Sequence, residues 1–176
     1  MNRAVFLDRD GVINRTKVKD ARPYPPSKLE EVEILPGVPQ ALTALRHAGF
    51  LLIVVTNQPD VARGNTTREK VEAINKYLAA QLAIDEFRAC YHDTKDGCEC
   101  RKPLPGALLE AAKQHGIDLS LSYMIGDRWK DIESGKKAGC KTIFIDYGYA
   151  EEQPESFDHR VDSLLEASTI ILGDLK

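Results

Sequence analysis

The sequence predicts an open α/β sheet, mainly parallel, with helices on both faces. Two observations carry that expectation. Short apolar, β-branched runs recur along the chain, most of them ending at a polar or acidic residue, and the segments between them have helical spacing bounded by cap residues. Alternation of this kind buries a parallel sheet between two helical layers. At 176 residues, 43% of them hydrophobic, the chain has material for one core and little room for a second, so 1–176 reads as one domain.

Taken in order, RAVFLD (3–8) is the first strand, and a helix over 38–48 stops at Gly49. LLIVVT (51–56) is the second strand. The helix after it, 67–83, opens at a capping box of Thr66 with Glu69. FRACY (87–91) adds a short strand. A helix over 105–115 opens at Pro105 and stops at Gly116; SYMIGD (122–127) is the next strand, and a helix over 130–138 stops at Gly139. KTIFID (141–146) follows. The acidic segment 151–162 reads as a surface connection, and Ser163 with Glu166 caps a last helix of about two turns.

A formal charge of −3 and a pI near 5.8 argue against nucleic acid as a partner. No apolar run reaches the length of a membrane span, and the start, MNRAVFLDRDG, lacks the features of a signal peptide. The expected location is the cytoplasm, where clustered Cys and His read as a metal site sooner than as disulfides.

In open α/β sheets ligands bind beyond the carboxyl ends of the strands, so the polar residues there come first. Asp8 and Asp10 follow the first strand, Thr56 and Asn57 the second, and Asp127 and Asp131 a later one; Arg101 and Lys102 lie just past the cysteine cluster. Carboxylates that converge repel one another unless a cation intervenes, and an all-oxygen set suits Mg²⁺ with phosphate as its partner. The set suggests phosphoryl transfer: Asp8 as nucleophile, Asp10 as acid and base for leaving and entering oxygens, Lys102 for charge and Thr56 as a donor.

FLDRDGVIN, VVTNQ, RKP and GDRWKD resemble, in order, the four motifs of the haloacid dehalogenase superfamily of phosphatases. The resemblance runs from residue 6 to 131. It implies a Rossmann-like three-layer sandwich and an aspartyl-phosphate intermediate on Asp8, with Asp10 as the general acid/base. It further implies Mg²⁺ held by Asp8, the backbone carbonyl of Asp10 and Asp127, with Asp131 behind them. Thr56, Asn57 and Lys102 would hold the transferring group. The pattern TNQ-x3-ARG and C-x-H-x5-C-x-C-RKP-x-PG is similar to the capless, zinc-containing branch, which implies no separate cap domain. That branch acts on small phosphorylated metabolites, and the ARG and PG details lean toward a heptose bisphosphate, with histidinol phosphate or another sugar phosphate as the alternative. The chain departs from the pattern at RTKVKDARPYPPSK (15–28), which is long, basic and proline-rich, and at Pro59-Asp60. Both stretches would shape the mouth of a capless site.

Cys90, His92, Cys98 and Cys100 offer three thiolates and an imidazole, a full tetrahedral set for Zn²⁺ with no open position. The expectation is a structural zinc stapling loop 90–102 and fixing Arg101 and Lys102. Gln58, Arg63, Arg101 and Arg128 are candidates to contact substrate, alongside Asn57. His47 and His115 precede helix-ending glycines and read as dipole partners, Cys140 as a packed thiol, and Trp129 as either packing or crevice wall. A monomer is expected. The competing reading is a zinc-stabilised binding module that keeps the fold without catalysis.

Overall fold

The computed structural model describes residues 1–175. Along the chain run β1 (Arg3–Leu7), β2 (Lys17–Lys19), β3 (Arg22–Tyr24), α1 (Val38–His47), β4 (Phe50–Asn57), α2 (Arg68–Gln81) and β5 (Glu86–Cys90). After them come α3 (Gly106–His115), β6 (Tyr123–Gly126), α4 (Trp129–Ala138), β7 (Lys141–Ile145), β8 (His159–Val161) and α5 (Leu164–Gly173). Six strands form one sheet in the order β5-β4-β1-β6-β7-β8, every neighbour parallel. None of the helices is long and apolar enough to cross a membrane among the described residues.

Strand alternation sorts side chains onto two faces. Val5, Leu7, Leu52 and Val54 meet α1, α2 and α5 through Leu42, Leu45, Leu78 and Ile171. Ala4, Phe6, Ile53 and Val55 meet α3 and α4 through Leu108, Ala111 and Ala138. The result is a three-layer sandwich.

β1 is the point at which the strand order reverses. Its neighbours are β4 on one side and β6 on the other, and the helices that lead to them lie on opposite faces. Loops leaving the sheet here diverge and open a crevice. Register brings the right residues to it: Leu7 pairs with Val54 and with Ile125, so Asp8 comes out level with Val55 and Gly126, one residue before Thr56 and Asp127, while Asn57 pairs with Cys90.

Three local expectations change. The helix cap is Thr67, whose side chain accepts from the Lys70 amide, because Thr66 is held in the preceding turn by its own amide bond to the Asp60 carbonyl. Within 151–162, residues 159–161 pair with β7 as β8; only Val161 goes to the core, too little apolar signal for a strand to be read. Loop 15–28 contains the antiparallel hairpin β2–β3, whose turn places Asp20 and Ala21 at positive φ, 51° and 56°, with Pro23 inside a strand. A turn without glycine and a proline in the pattern hid it. Elsewhere, Cys140 is a buried thiol packed beside Met124 and Ala138, and the His115 ring bonds Glu86 on β5 at 2.6 Å, an interaction across the fold.

Replacing Thr67 by Ala should lower the unfolding free energy by about 1 kcal/mol, whereas Thr66→Ala should be close to neutral. Urea unfolding of the two variants separates these outcomes; equal losses would mean that the cap lies at Thr66.

Candidate active site

Lys102 sits at the centre of the crevice floor, 1% exposed. Its ammonium donates to Asp8 Oδ1 at 2.8 Å and to the Val55 carbonyl at 2.6 Å, and it lies 2.7 Å from Asp131 Oδ1. Asn57 clamps the same residue by its backbone, accepting from the Lys102 amide at 3.1 Å and donating to the Lys102 carbonyl at 2.9 Å. Both amide atoms of Asn57 thus bond the Lys102 backbone, while the residue itself lines the crevice. Burial alone would lower the Lys102 ammonium, but the charges of Asp131 and Asp8 outweigh it and hold it above the ordinary lysine range.

Asp8, Asp127 and Asp131 are all buried, and each offers a carboxylate oxygen within 4.8 Å of the others. Burial, with the neighbouring Asp131 charge, pushes Asp8 up to about 6 despite the Lys102 contact. Asp127 rises well above its ordinary value through burial and the charges of Asp8 and Asp131. Its Oδ2 accepts from Tyr149 Oη at 2.9 Å, but its Oδ1 is buried with no hydrogen-bond partner among the described residues. An oxygen-only donor set with an orphaned acceptor, more negative than one lysine balances, fits a hard divalent cation such as Mg²⁺. Asp131 also accepts from the Arg128 amide at 3.1 Å, so it caps α4 while facing Lys102. Two glycines permit the close packing. A Cβ on Gly11, where φ is +91°, would lie 2.0 Å from Asp127 Oδ2, and one on Gly126 would lie 2.1 Å from Asp131 Cβ.

Asp10 faces the same crevice. It accepts from Asn14 and Gln58, both at 2.9 Å, and from the buried Arg9. Gln58 also donates to Thr56 Oγ1 at 2.9 Å, which links the two strand ends and leaves the Thr56 hydroxyl proton free. The crevice encloses about 220 Å³. Thr16, Pro23, Tyr24 and Pro25 of the hairpin region wall one side; Pro59, Asp60, Arg63, Arg128 and Lys130 line its rim.

The sequence-derived cations divide. Arg63 pairs with Asp93 through Nε at 3.0 Å and Nη2 at 2.9 Å, joining the loop after β4 to the cysteine loop. Arg128 Nε pairs with Glu151 at 2.8 Å, so the segment read as surface connection steadies a crevice residue. Arg101 bonds the His92 carbonyl at 3.3 Å and faces an adjoining depression of about 440 Å³, with Trp129 and Leu104 in its wall. The four cysteine-loop groups converge: Cys100 Sγ lies 3.0 Å from Cys90 Sγ and 3.5 Å from Cys98 Sγ, and His92 Nδ1 lies 3.4 Å from Cys100 Sγ. Three thiols and a ring nitrogen this close match the donor chemistry of tetrahedral Zn²⁺.

Sequence reasoning missed Arg9, Asn14, Tyr147 and Tyr149. Tyr147 Oη donates to the Gly11 carbonyl at 2.9 Å, and its ring lies 5.5 Å from that of Tyr149. Both tyrosines sit just beyond β7, where the strand-end rule that found the aspartates would have found them too.

Comparison with known proteins agrees on the family. A model of the HAD-hydrolase-like family matches residues 99–167. A D-glycero-beta-D-manno-heptose-1,7-bisphosphate 7-phosphatase of Helicobacter pylori is 37% identical over 150 residues, 82% of this chain and 83% of that one. A D-glycero-D-manno-heptose-1,7-bisphosphate 7-phosphatase of Chlorobaculum tepidum is 37% identical over 97% of this chain and 95% of its own. Among solved structures, the D,D-heptose 1,7-bisphosphate phosphatase of B. bronchiseptica, complexed with magnesium and phosphate, superposes with a TM-score of 0.81 at 30% identity, covering 98% of this chain and 99% of that one.

Gly11→Ala should displace the Asp127 carboxylate and weaken both Mg²⁺ binding and phosphate release by about 100-fold. Titration calorimetry with Mg²⁺ and a phosphate-release assay read the two effects; wild-type values in both would show that the loop absorbs the methyl group.

Proposed function

The chain belongs to the D-glycero-D-manno-heptose 1,7-bisphosphate 7-phosphatase family of HAD-like hydrolases and is a phosphoric monoester hydrolase; we propose that it removes the 7-phosphate of D-glycero-D-manno-heptose 1,7-bisphosphate, a step in making nucleotide-activated heptose for lipopolysaccharide. The observation that carries the reading is the buried trio of carboxylates with Lys102 inside it, at the reversal of strand order.

Asp8 attacks phosphorus while the bond from phosphorus to the sugar oxygen breaks, and Asp10 gives that oxygen its proton. Water, deprotonated by Asp10, then cleaves the acyl phosphate on Asp8. The Thr56 hydroxyl, already accepting from Gln58, donates its proton to a phosphoryl oxygen, and Lys102 supplies positive charge from the crevice floor. Mg²⁺, held by Asp8, Asp127 and the backbone carbonyl of Asp10 with Asp131 behind them, would neutralise the carboxylates and the phosphoryl oxygens. Arg63, Arg128 and Arg101 suit the remaining phosphate and hydroxyls; Asn57 acts through Lys102, and Gln58 through Thr56 and Asp10.

Zn²⁺ bound by Cys90, His92, Cys98 and Cys100 would order the loop that delivers Arg101 and Lys102. A cytoplasmic monomer completes the proposal.

Asp8→Asn should abolish phosphate release, by roughly 10⁴-fold or more. Comparing kcat/KM on both anomers of the heptose bisphosphate, on histidinol phosphate and on simple sugar phosphates tests the substrate; a preference for histidinol phosphate would overturn it. Cys98→Ser should lower zinc content and kcat/KM together, the latter by about 10- to 100-fold, and metal analysis beside kinetics would expose a zinc loss without consequence. Mg²⁺ binding requires ionised carboxylates. Because Asp8 without metal is raised from 3.8 to about 6, and Asp127 is raised as well, Mg²⁺ affinity should climb with pH through about 6 and fall on acidification. Titration in buffers of different ionisation enthalpy should detect proton release; an affinity flat from pH 5 to pH 7, as roughly bounded by that shift, would contradict it.

A further inference from the structure

The chemistry above makes no direct use of Arg9, yet its side chain heads the largest fully buried ones, at 1% exposure. Its guanidinium donates to Asp10 three times: Nε to Oδ1 at 3.2 Å, Nη2 to Oδ1 at 3.0 Å, and Nη2 to Oδ2 at 3.2 Å. The remaining arm, Nη1, donates to Asn75 Oδ1 at 2.9 Å. Asn75 stands on the inward face of α2 beside Val71, Ile74 and Leu78, where a buried amide needs such a partner. With Asn14 and Gln58, both oxygens of Asp10 are engaged and the carboxyl plane is fixed. Stability is a poor explanation for this arrangement. A buried charge pair is often replaced by apolar side chains without loss, whereas a guanidinium fork is well suited to fixing the orientation of a carboxylate.

We propose that Arg9, anchored on α2 by Asn75, is a positioning residue for Asp10, holding its carboxyl in the orientation from which it exchanges a proton with the leaving oxygen. The proposal rests on the acid/base role given to Asp10. It makes α2, remote from the phosphoryl group, part of the proton-transfer apparatus.

The test compares kcat/KM on a sugar phosphate, whose alkoxide must be protonated as it leaves, with that on p-nitrophenyl phosphate, whose leaving group needs no proton. Arg9→Met should lower the first by about 100-fold and the second by no more than about threefold. Arg9→Lys, which keeps the charge without the fork, should fall between wild type and Arg9→Met on the sugar phosphate. Asn75→Leu should show the same selectivity at smaller size, and it carries the test if the Met variant does not fold; zinc content and the urea midpoint report folding. Equal losses on both substrates in Arg9→Met, or in Asn75→Leu, would make Arg9 structural and overturn the proposal. Asp10→Asn is the control: it should show the same selectivity more strongly. If it shows none, the acid/base assignment fails and takes the proposal with it, whereas selectivity in Asp10→Asn alone leaves that assignment standing and overturns only the role of Arg9.

Discussion

One buried ammonium group organises the crevice. Lys102 lies within 2.8 Å of Asp8 and of Asp131, a third carboxylate, Asp127, stands close by, and a lysine offsets only one of three negative charges on buried side chains. Two unbalanced charges in low dielectric are costly. The raised values of Asp8 and Asp127 express that cost, and a divalent cation would remove it. Much of the nearby structure serves to hold that unstable combination in place. The sheet reversal at β1 brings the carboxylates together, Asn57 pins the Lys102 backbone on both sides, and two glycines let the acidic residues approach closely.

The two candidate donor sets differ in hardness. The oxygen set lies at the reversal point, where phosphate fits; the sulfur-rich set lies at the edge strand, where the chain would otherwise leave the sheet as a polar loop with little core of its own. A metal closing three thiols and an imidazole beyond β5 would fix the residues that follow at once, Arg101 and Lys102. The Arg63–Asp93 pair extends the connection, so that the rim of the crevice and the cysteine loop are bonded to each other.

The crevice mouth is built from short pieces. The β2–β3 hairpin walls one side, and its turn is held by a bond from the Ala150 amide to the Ala21 carbonyl, next to Tyr149 on Asp127 and Glu151 on Arg128. A single loop beyond β7 thereby supports the hairpin, the acidic cluster and a rim cation. Basic loop 15–28 and Pro59-Asp60, the two departures from the family pattern, meet at this mouth, and differences in substrate choice within the family would be felt there.

The five strands β1, β4, β5, β6 and β7, their order of alternation with helices, the acidic strand ends and the Cys/His cluster were legible in the sequence because each depends on neighbours in the chain: period-two burial, caps within four residues, ligands within eleven. Asp8 and Asp127 could be named as partners because strand ends converge in any open parallel sheet, and Lys102 because it follows the cysteine cluster in the RKP motif. What the chain order could not disclose were contacts made by single residues across the fold. Asn75 meets Arg9 from 66 positions away, Tyr149 reaches Asp127 from the next strand end, and Asn57, in the crevice wall, bonds the Lys102 backbone. Such contacts carry no local signature: a buried asparagine on an amphipathic helix fits many folds equally well, and the strand-end rule points to Tyr149 without naming its partner. The sequence determined which candidate groups the chain offers and where the sheet would gather them; the tertiary structure alone decided which groups hold them still, because orientation is set by hydrogen bonds between elements that become neighbours only when the layers pack.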